Sequence, residues 1–195
     1  MAPFIRDLRD VLVRPRALCG RSLTRPQPVH GVSAALLLGL AYATLYGWLA
    51  ADGHQPSMTR GLPMAAESYY RAAALFALPL VLALTALVVL TVHILGNRSA
   101  KTIAPTRVAV HVFGLTYAAP LLVAYLIPDL VAYGIFGFDA LGTLIRYSGM
   151  VAVIWVAVLT FGNIRAVYGV SPVRAELTTL AAALLQGIPA ALLLR

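Results

Sequence analysis

Cysteine and acidic residues are scarce in this chain of 195 residues, which has one cysteine and seven Asp and Glu against fifteen Lys and Arg. The single cysteine, Cys19, excludes an internal disulfide and any metal site built from several cysteines. Charged residues make up only 11% of the chain, whereas soluble domains have about 25%. This composition excludes an ordinary soluble domain, because too little charge is present to cover its surface.

The chain also lacks the short motifs that mark common active sites. It has no phosphate-binding G-x-x-x-x-G-K-[ST] loop, no dinucleotide-binding G-x-G-x-x-G, no zinc-binding H-E-x-x-H and no G-x-S-x-G. The acidic residues lie outside the central parts of the predicted spans, so the paired aspartates of an intramembrane protease are missing there. We therefore expect a protein that is not an enzyme, with no catalytic residues, no metal ligands and no cofactor.

What the chain does have is apolar residues, 61% of the total, gathered in long uncharged runs. A helix of about 20 apolar residues crosses the hydrocarbon core of a bilayer. The sequence predicts an all-α, polytopic integral membrane protein, with a basic arm at residues 1–28 and a membrane domain at 29–195. Five spans are expected, the last being the weakest because it contains Thr178, Thr179, Gln186 and Pro189; they lie at about 31–51, 72–94, 108–127, 147–164 and 177–194.

The basic residues are unevenly distributed between the two sides of these spans. With the N-terminus inside, eleven Lys and Arg fall on the inner side and four on the outer side. Positive charge is enriched on the cytoplasmic side of membrane proteins. We therefore expect an inner N-terminus and an outer C-terminus, and we attribute the net charge of +8 to membrane orientation and not to nucleic-acid binding.

The arm combines arginine with an amphipathic pattern that predicts a helix ending or bending at Pro15. One side carries Phe4, Ile5, Leu8, Val11 and Leu12, and the other carries Arg6, Asp7, Arg9 and Asp10. The helix either lies on the inner leaflet or packs against the inner ends of the spans. In the first case the arginines contact anionic lipid; they are Arg6, Arg9, Arg14, Arg16, Arg21 and Arg25.

Small residues recur at every fourth position of the first span. Such a series lets another helix approach closely, which is how helices attract one another in lipid. It predicts a helix-packing face, within the chain or between chains, formed by Gly31, Ala35, Gly39, Ala43 and Gly47.

Polar side chains in or near the spans are the remaining candidates for function: His93, His111, Tyr117, Asn163 and Gln186. The histidines indicate either a proton or metal site between helices or ordinary interfacial side chains. The amides indicate either packing contacts between helices or part of a transport path. Residues 128–142 are apolar yet contain Asp129 and Asp139, which favours an interfacial or re-entrant segment.

The layout of the chain resembles that of the Yip domain family, membrane proteins that interact with Ypt and Rab GTPases, in its shorter bacterial branch. The resemblance rests on four stretches: FIRDLRDVLVRP at 4–15, TVHILGNRSAK at 91–101, TYAAP at 116–120 and WVAVLTFGNIRAVYGVSP at 155–172. It implies five spans with an inner N-terminus and a role in membrane organisation, and the family offers no catalytic residue. The Asp-Leu-Tyr-Gly-Pro element of many members is missing, so a GTPase partner is not expected.

These observations give two hypotheses for function. The first is a non-enzymatic membrane scaffold or accessory subunit that acts through helix–helix and lipid contacts, with other membrane proteins or its own copies as partners. The alternative is a small transporter or channel with a polar path between helices. The high Ala, Leu and Arg content suits a GC-rich bacterium, so the expected location is the bacterial inner membrane.

Overall fold

The computed structural model describes residues 2–56, 65–100 and 103–193, with side chains except at 142–146 and 188–193. This part of the chain is helical and has no strand, which confirms the predicted all-α class. The elements are α1 (Pro3–Val13), α2 (Pro15–Thr24), α3 (Pro28–Ala51), α4 (Ala66–Ser99), α5 (Thr106–Leu121), a π-helical turn (Leu122–Leu126), α6 (Ile127–Phe136), α7 (Phe138–Tyr168) and α8 (Pro172–Leu193).

Four helical segments of the described chain are long and apolar enough to cross a membrane. They are Pro28–Ala51, Ala66–Ser99, the continuous stretch Thr106–Phe136, and Tyr147–Tyr168. Each contains one of the first four predicted spans and extends beyond it. The fifth predicted span, 177–194, coincides with α8, which is not among these four; position 194 lies outside the described residues.

Proline marks the start of most of the N-terminal helices. Pro3, Pro15 and Pro28 each stand at the beginning of their helix, where a missing N–H has no consequence and the fixed φ suits the first turn. The predicted break at Pro15 is confirmed, since α1 ends at Val13 and α2 begins at Pro15.

Residues 128–142, for which the sequence favours an interfacial or re-entrant segment, are helical on both sides of Gly137. The third span passes through a π-helical turn and continues as α6 to Phe136; one glycine, Gly137 with φ of 79°, then connects it to α7. Pro128 explains the wide turn, because its ring would collide with the carbonyl of Ala124 in a regular α-helix. Gly137 explains the corner, because side-chain-bearing residues rarely adopt that φ.

Helix α5 forms the centre of the bundle. Every residue from 111 to 120 is buried, and α5 packs against α3, α4 and α7. Helix α3 packs against both α4 and α5, and α8 packs against α4 and α7. The two short helices of the arm lie against this bundle: α1 contacts α5, and α2 contacts α7.

Candidate functional site

The candidate site surrounds the point where α3 and α5 cross. A Cβ atom built on Gly31 would lie 2.0 Å from the carbonyl oxygen of Val110, and one built on Gly114 would lie 2.8 Å from the Cα of Gly31. Such distances leave no room for any side chain at either position. The crossing therefore depends on two glycines whose backbones touch.

On one side of this crossing, a buried carboxylate of the arm joins four helices. Asp7 of α1 accepts hydrogen bonds from His30 Nδ1 at 2.8 Å and His111 Nε2 at 3.0 Å, both on Oδ2. Its other oxygen accepts from Arg21 of α2 at 2.9 Å. Because His30 belongs to α3 and His111 to α5, this one side chain links the arm to two helices of the bundle.

Asp10, one turn further along α1, completes the network. It accepts from Arg9 at 2.8 Å and from Arg21 at 2.8 Å. Hydrogen bonds from Arg9, with a further one from Arg21, outweigh burial and hold the pKa of Asp10 below its ordinary value of 3.8. Burial alone would raise the pKa of Asp7, but hydrogen bonds from His30, Arg21 and His111 outweigh it, so this pKa is lowered too. Both carboxylates are therefore ionised at neutral pH.

The sequence pattern groups Asp7 and Asp10 with Arg6 and Arg9 on the polar side of α1, but the structure separates the two aspartates from these exposed arginines. Both are 3% exposed and face the bundle. The physical reason is that Arg21, His30 and His111 supply the donors that buried carboxylates require. Of the six arm arginines, Arg21 is half-buried in this network and the others are exposed; these are Arg6, Arg9, Arg14, Arg16 and Arg25.

Asp7, His30 and His111 place one possible metal-ligand atom each within 4.8 Å of one another. Nδ1 of His111 lies 2.9 Å from the Ser22 hydroxyl, which itself donates to the carbonyl of Leu18, and 3.2 Å from the backbone N–H of Gln27. The ionised Asp7 carboxylate can only accept, so the proton between it and His111 belongs to Nε2. In this structure the three side chains bind one another and form an ion network.

A second polar group lies deeper in the bundle, between α2, α5 and α7. Asn163, 1% exposed, donates from Nδ2 to Thr116 Oγ1 at 2.8 Å and accepts from the Cys19 thiol at 3.3 Å. Burial raises the pKa of the Cys19 thiol to about 12, so the group is protonated at neutral pH. No hydrogen bond between described residues joins this group to the Asp7 network.

The other predicted polar residues do not join either group. His93 is half-buried and contacts Thr106 through Nε2 at 3.1 Å and the Tyr168 hydroxyl through Nδ1 at 3.4 Å. Tyr117 is buried beside Thr116, and Gln186 is half-buried on α8. The five candidates are thus spread over separate places in the bundle.

On another side of the crossing, α3, α4 and α5 enclose an apolar cleft of about 460 Å³. Gly31 and Ala35 from the small-residue series line it. Gly39 contacts α4, where its added Cβ would meet the Cα of Leu78 at 3.1 Å, whereas Gly47 has open space around it. Ala43 is half-buried.

Sequence reasoning missed one buried acid. Asp129 was expected outside the spans, but it lies in α6 within the apolar stretch Thr106–Phe136 and is 1% exposed. Ser148 of α7 donates to it at 3.4 Å. Regular helical periodicity does not predict that Asp129 faces inward, because the π-helical turn just before it rotates the inward face of the helix.

No protein-family model, curated protein or solved structure matches this chain.

Proposed function

We propose that the protein is a non-enzymatic membrane scaffold or accessory subunit whose cytoplasmic arm is fixed to the membrane bundle. In this proposal the N-terminus is inside, α8 is a fifth span, and the C-terminus is outside, in a bacterial inner membrane. The partners are anionic lipids and other membrane proteins or further copies of the chain. The exposed arginines of the arm face the lipid headgroups.

The observation that carries the proposal is the use made of the buried polar side chains. Asp7, His30 and His111 hold the arm to α3 and α5, and Asn163 holds α7 to α2 and α5. These side chains serve contacts between helices. A bundle held in this way presents fixed outer surfaces, which a scaffold needs in order to bind its partners.

Site-specific photo-crosslinking in native membranes tests the proposed role. A photoreactive residue at exposed positions of α4 or α7, such as Leu75 or Val158, should crosslink to the same partner protein or to a second copy. The same residue at the buried Val112 serves as the control and should give no product between chains. Lipid crosslinks alone at all exposed positions would contradict the scaffold role.

Topology is tested with a reporter that is active only outside the cell. Fusions after Ala51 and after Arg195 should be active, and a fusion after Gly96 should be silent. Activity after Gly96 would contradict the inner N-terminus, and silence after Arg195 would contradict the fifth span.

The rival function, a small transporter, is favoured by one observation: Asp129 is buried in a helical segment that is long and apolar enough to span a membrane. Ionisable groups at such depth often mark ion or proton paths. Proteoliposomes loaded with a pH-sensitive dye separate the two functions. A proton flux that Asp129→Asn abolishes would favour the transporter.

A further inference from the structure

The apolar cleft between α3, α4 and α5 has the dimensions of a site for one hydrocarbon chain. Its volume of about 460 Å³ falls in the range of about 300–1,000 Å³ for small-molecule sites. Along α4 it extends from Leu82 to His93, roughly 16 Å at 1.5 Å per residue. Val32 and Leu90 of its lining are about half exposed, so the cleft opens on the outer surface of the bundle.

The polar groups that the cleft presents lie at one end. His93 and Thr106 line this end, with Nε2 and Oγ1 at 3.1 Å from each other, and Thr106 is exposed. Thr85, in the middle of the lining, donates its proton to the carbonyl of Val81. A bound molecule would therefore meet hydrocarbon along most of its length and hydrogen-bonding groups only at the His93 end.

That end also carries positive charge. Helix α5 begins at Thr106 without a side-chain cap, so its first N–H groups and the positive end of its dipole are available to an anion. Arg107 follows immediately, and Arg98 lies in the last turn of α4, five residues after His93; both are exposed. Neither arginine has an acidic partner within 4.0 Å among the described residues.

We propose that this cleft binds one acyl chain of an anionic phospholipid, with the lipid phosphate at the α5 N-terminus beside Thr106, His93, Arg98 and Arg107. The length of the cleft, its single polar end and the two exposed arginines near that end together match an apolar tail attached to a phosphate. The inference rests on the proposed placement of the helices in a membrane and not on the scaffold role.

Native mass spectrometry of the full chain released from detergent tests this site. Phosphatidylglycerol and phosphatidylcholine with identical acyl chains are added in equal amounts, and retained lipid is counted. We expect one phosphatidylglycerol to be retained with roughly tenfold preference, since each basic residue near an anionic headgroup contributes modestly. Equal retention of the two lipids by the unmodified chain would overturn the proposal.

Matched variants separate the tail site from the headgroup site. Ala86→Phe fills the cleft and should abolish retention of both lipids, whereas Ala83→Phe, at an exposed position of α4 outside the cleft, should leave retention unchanged. The double variant Arg98→Gln and Arg107→Gln should retain both lipids equally. Arg71→Gln, at the other end of α4, is its control and should keep the preference.

Folding is followed in the same samples through Cys19, whose buried thiol reacts with maleimide only when α2 detaches from the bundle. A variant that keeps the slow labelling of the unmodified chain is folded, and its lipid count is then decisive. Unchanged lipid retention by a folded Ala86→Phe chain would exclude the cleft as the tail site. If the photo-crosslinks between proteins were absent but the preference for phosphatidylglycerol remained, the scaffold role would be contradicted and the lipid site would stand.

Discussion

Helices α3 and α5 present two contrasting faces on either side of one crossing. His30 and His111 point to the arm and are covered by it, whereas Val32 and Val110 line an open cleft. His30 and Val32 are only two residues apart, which places them about 200° apart around the helix. The same pair of helices is therefore closed by polar contacts on one face and left open on the other.

The difference between the faces follows from the solvent. Buried polar groups must find partners inside the protein, because lipid provides none. Closing an apolar cleft in lipid would lower the free energy only slightly, since acyl chains are as apolar as the walls of the cleft. The comparison teaches that, in this bundle, polar residues decide which surface the arm covers, while apolar residues leave a surface that lipid can fill.

The largest expected effect comes from the crossing that separates the two faces. Gly31→Ala should lower the free energy of unfolding in detergent by about 3 kcal/mol, at the upper end of overpacking effects, because its Cβ meets the Val110 carbonyl. Gly47→Ala is the matched control on the same helix. With open space around it, this change should raise stability by about 0.5–1 kcal/mol. Equal stability of the two variants would show that α3 and α5 do not touch at Gly31.

Asp7→Asn tests the polar face, because it disrupts the hydrogen bonds that hold the arm to α3 and α5. The amide keeps the shape of the side chain but loses the charge-assisted hydrogen bonds, which contribute about 2 kcal/mol. We expect Cys19 to react with maleimide roughly 30-fold faster as the arm detaches. Asp139→Asn, an exposed acid on α7, is the control and should label at the unmodified rate. An unchanged rate in Asp7→Asn would mean that the network does not hold the arm.

The same network gives a pH dependence with a defined sign. The folded-state pKa values of Asp7 and Asp10 lie below 3.8, so their stabilisation is fully present above that pH. It is lost as the pH falls through the lowered values and the carboxylates that face Arg21, His30 and His111 become protonated. Comparing the thermal stability of the unmodified chain with that of the Asp7→Asn, Asp10→Asn double variant checks this. Their difference should shrink as the pH falls below about 3.8; a difference that stays the same on both sides of this pH would contradict the prediction.

The smallest expected effect concerns the deeper polar group. Thr116→Val removes the acceptor for Asn163, and interhelical hydrogen bonds of this kind contribute about 0.6 kcal/mol on average. Thr179→Val removes only a bond to the carbonyl of Ala175 in its own helix and is the control. If Thr116→Val lowered the free energy of unfolding by more than about 1.7 kcal/mol beyond the effect of Thr179→Val, Asn163 would contribute more than an ordinary interhelical hydrogen bond.

The sequence was sufficient for features that depend on local pattern. Long apolar runs predicted five spans, four of which fall in helical segments long and apolar enough to cross a membrane. Pro15 predicted the break between α1 and α2. The Asp7 network could not be predicted, because its members are separated by up to 104 residues and meet only through the packing of four helices. Helical periodicity places Asp7 with the arginines on the polar side of the helix. Only the positions of His30 and His111 in space show why the carboxylate turns inward.

The π-helical turn at Leu122–Leu126 gives the third span a change of phase. One additional residue in a turn rotates everything after it by about 100° relative to a regular helix. Asp129, Ala132 and Tyr133 face inward in the shifted frame. Deleting one residue from the turn would keep the composition and hydropathy of the span nearly unchanged, yet it would direct a different set of side chains toward α7. The rotational phase of this helix therefore depends on its exact residue count, and a single insertion or deletion in the turn would change which of its later side chains are buried.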